Sequence, residues 1–407
     1  MNCPPLITSP HTRTSIYSKL AEIKEALLAN PNTTAQENLF GGDLGVALFF
    51  FYYYKLTKDE SNLDIAESLL GNAFDGVENN PSPYFSFASG IAGLCWTTEF
   101  ARAHNFIDVD TTELFPDTNP ILSDYMFQEM QLGNYDYMHG SLGVGIYFLK
   151  KDLDLTTREN IAALIDQLTL VDEYGKQKWN YHYKEGQLEN STNLGLSHGI
   201  PSILVFLLKA HQLNINPEKA KTLINTIVNY LIDNRQDPAV YKCYYAYSVN
   251  ETDAESKHTT RLAWCYDDLG ICCALWQVAK AFNDDALKEH VIEIMTYTAT
   301  RKDLKENMVY DAGLCHGTAG IAHIFNRFYQ DTHNEVFKQA ALFWFNQTLQ
   351  MDTFKDGLAG YKACTSTSGA EYENCTGLLE GIAGIGLALI GAVADFEPNW
   401  DECLLIS

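Results

Sequence analysis

The stretch AGLCHGTAGIAHIF, residues 312–325, sets Cys315 beside His316 and then runs Gly317-x-x-Gly320 into an apolar segment. The pair alone is weak evidence of chemistry, because buried cysteine serves as a small hydrophobe and a histidine often only satisfies a neighbouring carbonyl. Recurrence gives the stretch its weight. FGGDLGVALFF carries Gly42 and Gly45, FASGIAGLCW Gly90 and Gly93, YMHGSLGVGIYFL Gly140 and Gly143, and LLEGIAGIGLALI Gly381 and Gly384. Two relatives vary the theme: LSHGIPSILVFLL has Ser202 in place of the second glycine, and WCYDDLGICCALW has Asp267 in place of the first. Seven units therefore start at 42, 90, 140, 199, 267, 317 and 381.

Each motif leads into small and apolar residues with almost no charge for about three turns, as a helix buried on every side should read. Glycine removes side-chain bulk there, so that backbones can approach closely. Between the motifs lie amphipathic stretches with apolar residues at i, i+3, i+4 and i+7, namely 15–30, 63–77, 157–171, 217–233 and 334–350, which read as outer helices. One buried and one amphipathic helix per unit, seven times over, predicts an all-α fold: an α/α toroid, a double ring of inner and outer helices forming one domain over 1–407. An open solenoid is the alternative, but its terminal units should carry polar caps, and the first and last repeats here are as apolar as the middle ones. Residues 173–190 and 236–260 break the pattern. They are rich in Tyr, Trp and Val with turn residues and read as β-rich insertions within the ring.

Composition narrows the function. Hydrophobic residues make up 46% of 407, enough for a large core. With 28 basic against 52 acidic side chains the net charge is −24, spread along the chain, which argues against nucleic-acid binding. The N-terminus lacks a basic region followed by a long apolar run, and no charge-free segment reaches membrane-spanning length, so a cytoplasmic protein without membrane insertion is expected. Ten cysteines, irregularly spaced, do not make a disulfide scaffold; most should be reduced thiols.

Placing the seven motifs in register picks out the special ones. Two positions before the first glycine stand Phe40, Ala88, Met138, Ser197, Cys265, Cys315 and Leu379; one position before stand Gly41, Ser89, His139, His198, Tyr266, His316 and Glu380. In a closed ring these positions face one rim, so Cys265, Cys315, His316, His198 and His139 should converge. Two thiolates and one imidazole, Cys265, Cys315 and His316, form a three-ligand zinc set that leaves the fourth tetrahedral position open, as catalytic zinc sites do. The remaining histidines are candidate proton carriers. Cys95, Cys272 and Cys273 lie inside inner segments, and Cys364 and Cys375 lie in a loop without a partner histidine; these read as core or loop thiols.

With these residues in hand, the chain resembles the lanthionine synthetase C-like family, and most closely the stand-alone cyclases of class I lanthipeptide biosynthesis. The carrying residues are RLAWCYDDLG (261–270), GLCHGTAG (313–320), NLGLSHGIPS (193–202), YDYMHGSLG (135–143) and LLEGIAG (378–384). The resemblance implies an α/α toroid and one Zn2+ held by Cys265, Cys315 and His316. It also implies an active-site histidine at His198, an acidic partner at Asp136 and an arginine at Arg261. The family's W-C-Y-G motif has Asp267 in the glycine's place here, which either adds negative charge beside the metal or alters the helix start. His139 stands where some members carry glutamate and reads as a bystander.

The chemistry so implied is Michael addition of substrate cysteine thiols to dehydroalanine or dehydrobutyrine in a precursor peptide, giving lanthionine or methyllanthionine thioethers. Arg261 would stabilise the enolate, His198 protonate it, and Asp136 orient His198. Because the chain has no dehydratase domain, a lanthipeptide dehydratase, and possibly an export transporter, are the expected partners beside the dehydrated precursor. The alternatives are a glutathione-adding relative, which the W-C-Y motif disfavours, prenyl transfer, whose sites take an Asp, a Cys and a His, and a non-catalytic scaffold that holds a precursor for a dehydratase.

Overall fold

Every one of the seven motifs opens a helix. A computed structural model describes residues 3–32, 37–80, 83–114, 116–168, 191–250 and 257–407. In chain order the helices are α1 (Pro10–Ala29), α2 (Asp43–Thr57), α3 (Glu60–Asn79), α4 (Ile91–Ala103), α5 (Thr111–Leu114), α6 (Thr118–Gln131), α7 (Ser141–Lys150) and α8 (Leu155–Gln167). After strand β1 (Ser191–Asn193) come α9 (Ile200–Gln212), α10 (Pro217–Asp233), α11 (Pro238–Tyr241), strand β2 (Ser248–Asn250), α12 (Asp267–Ala281), α13 (Asp285–Thr298), α14 (Thr318–Thr332) and α15 (Glu335–Gln350). Strands β3 (Ala363–Cys364) and β4 (Tyr372–Glu373), helix α16 (Ile382–Val393) and a 3-10 turn at Asn399–Leu404 complete the chain. The inner helices are α2, α4, α7, α9, α12, α14 and α16; all twelve residues of α16 are buried. The amphipathic partners are α1, α3, α6, α8, α10, α13 and α15. None of the described helices is long and apolar enough to cross a membrane.

The two kinds of helix begin differently, for a reason visible in the sequence. Several outer helices take side-chain caps: Asp59 accepts from Ser61 N–H, Asp154 from Thr157 N–H and Asn334 from Val336 N–H. Inner helices have no such cap. Their first N–H groups are met by a carbonyl seven residues upstream, Ile91 by Tyr84, Ser141 by Asn134, Thr318 by Asp311 and Ile382 by Cys375, at 2.9–3.1 Å. The preceding turn thus folds back over the first helical turn. The second glycine of the motif leaves room for it: a Cβ at Gly320 or Gly384 would collide with the carbonyl six residues upstream, that of Leu314 or Leu378.

The chain divides into two compact units. The first comprises Met1–Ser82, Arg261–Trp264 and Met295–Ser407. In it α16 packs against α1, α2 and α14, so the last repeat lies on the first, a contact that the ends of an open solenoid do not make. Turn joins turn through the backbone: Trp264 N–H donates to Cys315 O (2.9 Å), Cys315 N–H to Leu379 O (2.9 Å) and Leu379 N–H to Phe40 O (3.0 Å). The second unit comprises Pro83–Thr260 and Cys265–Ile294. There α4, α7, α9 and α12 pack in succession, and Ala88 N–H donates to Met138 O at 2.9 Å. The equivalent positions of the register alignment are therefore neighbours within each unit.

Residues 173–190 lie outside the described residues. Among the described residues of 236–260, Ser248–Asn250 is a strand, and it pairs antiparallel with Ser191–Asn193. Pro238, with Asp237 capping Ala239 N–H, turns the start of that segment into the single helical turn α11.

Candidate metal centre and acid–base site

The turn before α14 carries the densest chemistry of the first unit. Cys315 Sγ, a ring nitrogen of His316 and a carboxylate oxygen of Glu380 lie within 4.8 Å of one another, the set of three among the described residues able to hold a metal ion. Cys315 is buried, and His316 keeps 13% of its side chain exposed, so the group can be reached from solvent. Glu380 occupies the turn before α16, brought alongside by the Cys315–Leu379 backbone bond. It was aligned with His316 in the sequence, but only its position in space marks it as a donor. Asp311, buried, stands on the other side of the ring, 3.6 Å from Nδ1.

Arg261 lies in the same unit. Its guanidinium donates to Met308 O (2.9 Å) and stands 5.9 Å from the centre of the Tyr310 ring, while its buried Nε has no hydrogen-bond partner among the described residues.

In the second unit, Asp136 and His198 meet although 62 residues apart: Nδ1 lies 2.6 Å from Oδ2. The carboxylate is buried and prearranged. Its Oδ1 accepts the His139 N–H at 2.7 Å, and its own N–H donates to Asn134 Oδ1. The His139 ring lies parallel to that of His198, 6.2 Å away, and burial, with the charge of His198 adding to it and Asp136 opposing, holds the His139 imidazole below its ordinary pKa. Cys265 belongs to this unit, buried on the turn before α12, its carbonyl accepting from Ser197 Oγ (3.4 Å). Asp267, fully buried, has φ 71° and its Oδ1 accepts the Asp268 N–H at 2.5 Å. It therefore shapes the helix start from a left-handed conformation in which glycine is at ease. Asp268 in turn accepts from Tyr244 and Tyr245 N–H, tying the 236–250 segment to α12.

The remaining cysteines are not part of the Cys315, His316 and Glu380 donor group. Cys95 and Cys272 are fully buried in α4 and α12 with thiols pushed up by burial, and Cys364 sits in β3, its Sγ on Ser366 O. Burial also raises the Cys375 thiol. No disulfide joins any of the ten cysteines.

Paired inner and outer helices whose pre-helix turns bear a thiol, imidazoles and carboxylates define an all-α protein with a built donor set in one unit and a histidine–carboxylate pair in the other. A family model described as "Lanthionine synthetase C-like protein" matches residues 34–405, and the chain belongs to that family. Among solved structures it is similar to nisin cyclase, with a TM-score of 0.74 and 16% identity over 98% of each chain, a likeness that shows the fold, an α/α toroid. A sugar epimerase from a ruminal bacterium aligns over 93% of this chain and 98% of its own at 11% identity, but with a TM-score of 0.45 that carries no argument.

Proposed function

We propose that the chain is a zinc-dependent lanthipeptide cyclase, acting on a dehydrated precursor peptide supplied by a separate dehydratase. The observation that carries the reading is the donor group on the turns before α14 and α16, found in a member of this family. Sulfur, imidazole nitrogen and carboxylate oxygen are donors zinc takes, and two thiolates with one imidazole leave a position for an exogenous ligand. Cys315 and His316 would hold the ion together with Cys265. Once held there, zinc supplies a Lewis acid that makes a thiol acidic, where a free cysteine, with a pKa of about 8.5, is mostly protonated at neutral pH.

The other residues handle protons and charge. Asp136, anchored through Oδ1, takes the Nδ1 side of His198 and leaves Nε2 to exchange a proton. The reaction is an isomerisation: the substrate S–H proton departs, the C–S bond forms at the β-carbon of the dehydro residue, and the α-carbon takes up a proton, which His198 delivers. The Arg261 guanidinium is the group able to accept enolate charge. The acidic chain suits a cationic substrate segment.

The test is metal analysis combined with thiol counting. Purified protein is expected to hold about one zinc per chain, lost from Cys315→Ala and Cys265→Ala and kept in Cys375→Ala. Incubated with a dehydrated Ser/Thr/Cys peptide, it should remove alkylatable thiols without changing the peptide mass. A zinc-free protein, or persistent free thiols with a zinc-loaded one, overturns the reading.

A further inference from the structure

Two carboxylates bracket the His316 ring, and they differ in the properties that matter to a metal. Asp311 is buried and immobilised: Oδ1 accepts Gly313 N–H and Oδ2 accepts Cys364 N–H, both at 2.9 Å. It faces Nδ1. Glu380 faces Nε2 from 3.4 Å with 40% of its side chain exposed. A charge-assisted N–H···O bond closes to about 2.7–2.9 Å. Ligand atoms about 2.0–2.3 Å from a tetrahedral centre stand about 3.3–3.8 Å apart, as geometry requires at the usual zinc bond lengths. The 3.4 Å Glu380–His316 separation is longer than such a hydrogen bond and falls within the spacing that two donors of one tetrahedral ion would have.

We propose that Glu380 is a further, exchangeable donor of the metal centre, sharing the ion with Cys315 and His316. The inference rests on the zinc reading above and deepens it: the position left open by two thiolates and an imidazole is covered by Glu380 in the resting protein. Of the donors, the half-exposed carboxylate is the one free to leave, and at a thiolate-rich zinc site it is a harder and weaker competitor than sulfur. A substrate thiol therefore displaces Glu380 and no other protein donor. Two effects of opposite sign follow for a variant lacking this carboxylate. Zinc is held less tightly, and an exogenous thiol is captured more readily because nothing has to be displaced.

The experiment compares wild type, Glu380→Ala and the near-isosteric Glu380→Gln. Zinc affinity is measured by competition with a chromophoric chelator. Capture of N-acetylcysteine amide by the cobalt-substituted proteins is followed by sulfur-to-cobalt charge-transfer absorption, and thermal melts report folding. Both variants are expected to lose about 10- to 100-fold in zinc affinity, the range seen when groups supporting a metal site are removed, while half-saturation by the thiol falls several-fold. Unchanged zinc and thiol affinities in a stoichiometrically loaded protein remove Glu380 and leave the zinc reading intact. Weakening of both affinities together, with unaltered melting, also rejects the exchangeable role. If alanine unfolds the protein, the glutamine variant decides, and a wild type that takes up no zinc rejects both readings.

Discussion

His198 and Asp136 come together because the turns before α7 and α9 belong to successive packed repeats. The 2.6 Å contact joins one imidazole nitrogen of His198 to the Asp136 carboxylate, and the two residues should respond differently to substitution. His198→Asn removes the proton carrier and is expected to slow loss of alkylatable thiols by about 10² to 10⁴ with zinc content unchanged. Asp136→Asn retains an acceptor for the His139 N–H but removes the charge at Nδ1, and a smaller loss of about 10- to 100-fold is expected, with the melting temperature kept. Wild-type rates in both variants would exclude the pair from the mechanism; zinc loss in His198→Asn would make it a ligand instead. Residue identity made His198, Cys315 and His316 visible as candidates through their register. Asp136 came only through the family motif, since nothing local relates two residues 62 positions apart. Glu380 shared the register of His316, yet an acidic side chain in a column of small, aromatic and imidazole residues signals nothing until its 3.4 Å approach is seen.

Inner and outer helices use glycine in opposite ways. In α16, Gly384 is pressed against the Leu378 carbonyl and the Leu314 side chain, so Gly384→Ala must shift backbone. A loss of about 1–3 kcal/mol is expected in denaturant unfolding, the usual cost of overpacking. Gly71 lies in the interior of outer helix α3, and a Cβ there would meet nothing within 4 Å. Gly71→Ala is expected to stabilise by about 0.5–1 kcal/mol, because alanine loses less backbone entropy in a helix. Equal effects in the two variants would contradict the inner and outer assignment. The periodicity located α10 at its observed limits and α15 within one residue, because Pro217 and Asn334 mark their starts. It placed the start of α1 five residues late, as Pro10 opens a helix whose first turn is polar and shows no apolar stripe.

In the first unit the C-terminal segment is locked to the helices by a buried polar cluster. His323 of α14 and Asp401 are both fully buried, their Nε2 and Oδ2 2.8 Å apart; Arg327 reaches Asp401 at 3.0 Å and Ser407 Oγ donates to it at 2.6 Å. Burial pushes the His323 imidazole down, with the Asp401 hydrogen bond opposing. Burial would raise the Asp401 carboxyl, but the charge of Arg327 and the hydrogen bonds from His323 and Ser407 outweigh it and hold it below the usual aspartate range. Both shifts carry the same sign. The unfolded chain protonates histidine near 6.5 and aspartate near 3.9, at higher pH than the native chain does, so stability is full above these values and is lost on acidification. The melting temperature is expected to fall below about pH 6.5 and more steeply below about pH 4, and His323→Gln should flatten the first decline. A melting temperature constant from pH 7 to 5 in the wild type would show that His323 binds its proton equally well in the folded and unfolded chain.

By itself the sequence determined the number of repeats, the helical class, the two helix types and the turns that open the inner helices, because a Gly-x-x-Gly start and a 3.6-residue apolar period are local properties that each repeat states independently. The tertiary structure alone decided which side chains touch. Asp136 on His198, Glu380 and Asp311 on either side of His316, and β1 on β2 depend on backbone bonds and packing between repeats far apart in the chain. Asp267 shows the limit at one position: its identity left charge and helix start as alternatives, and only its left-handed backbone, with the side chain turned onto the next N–H, shows that it shapes the start of α12.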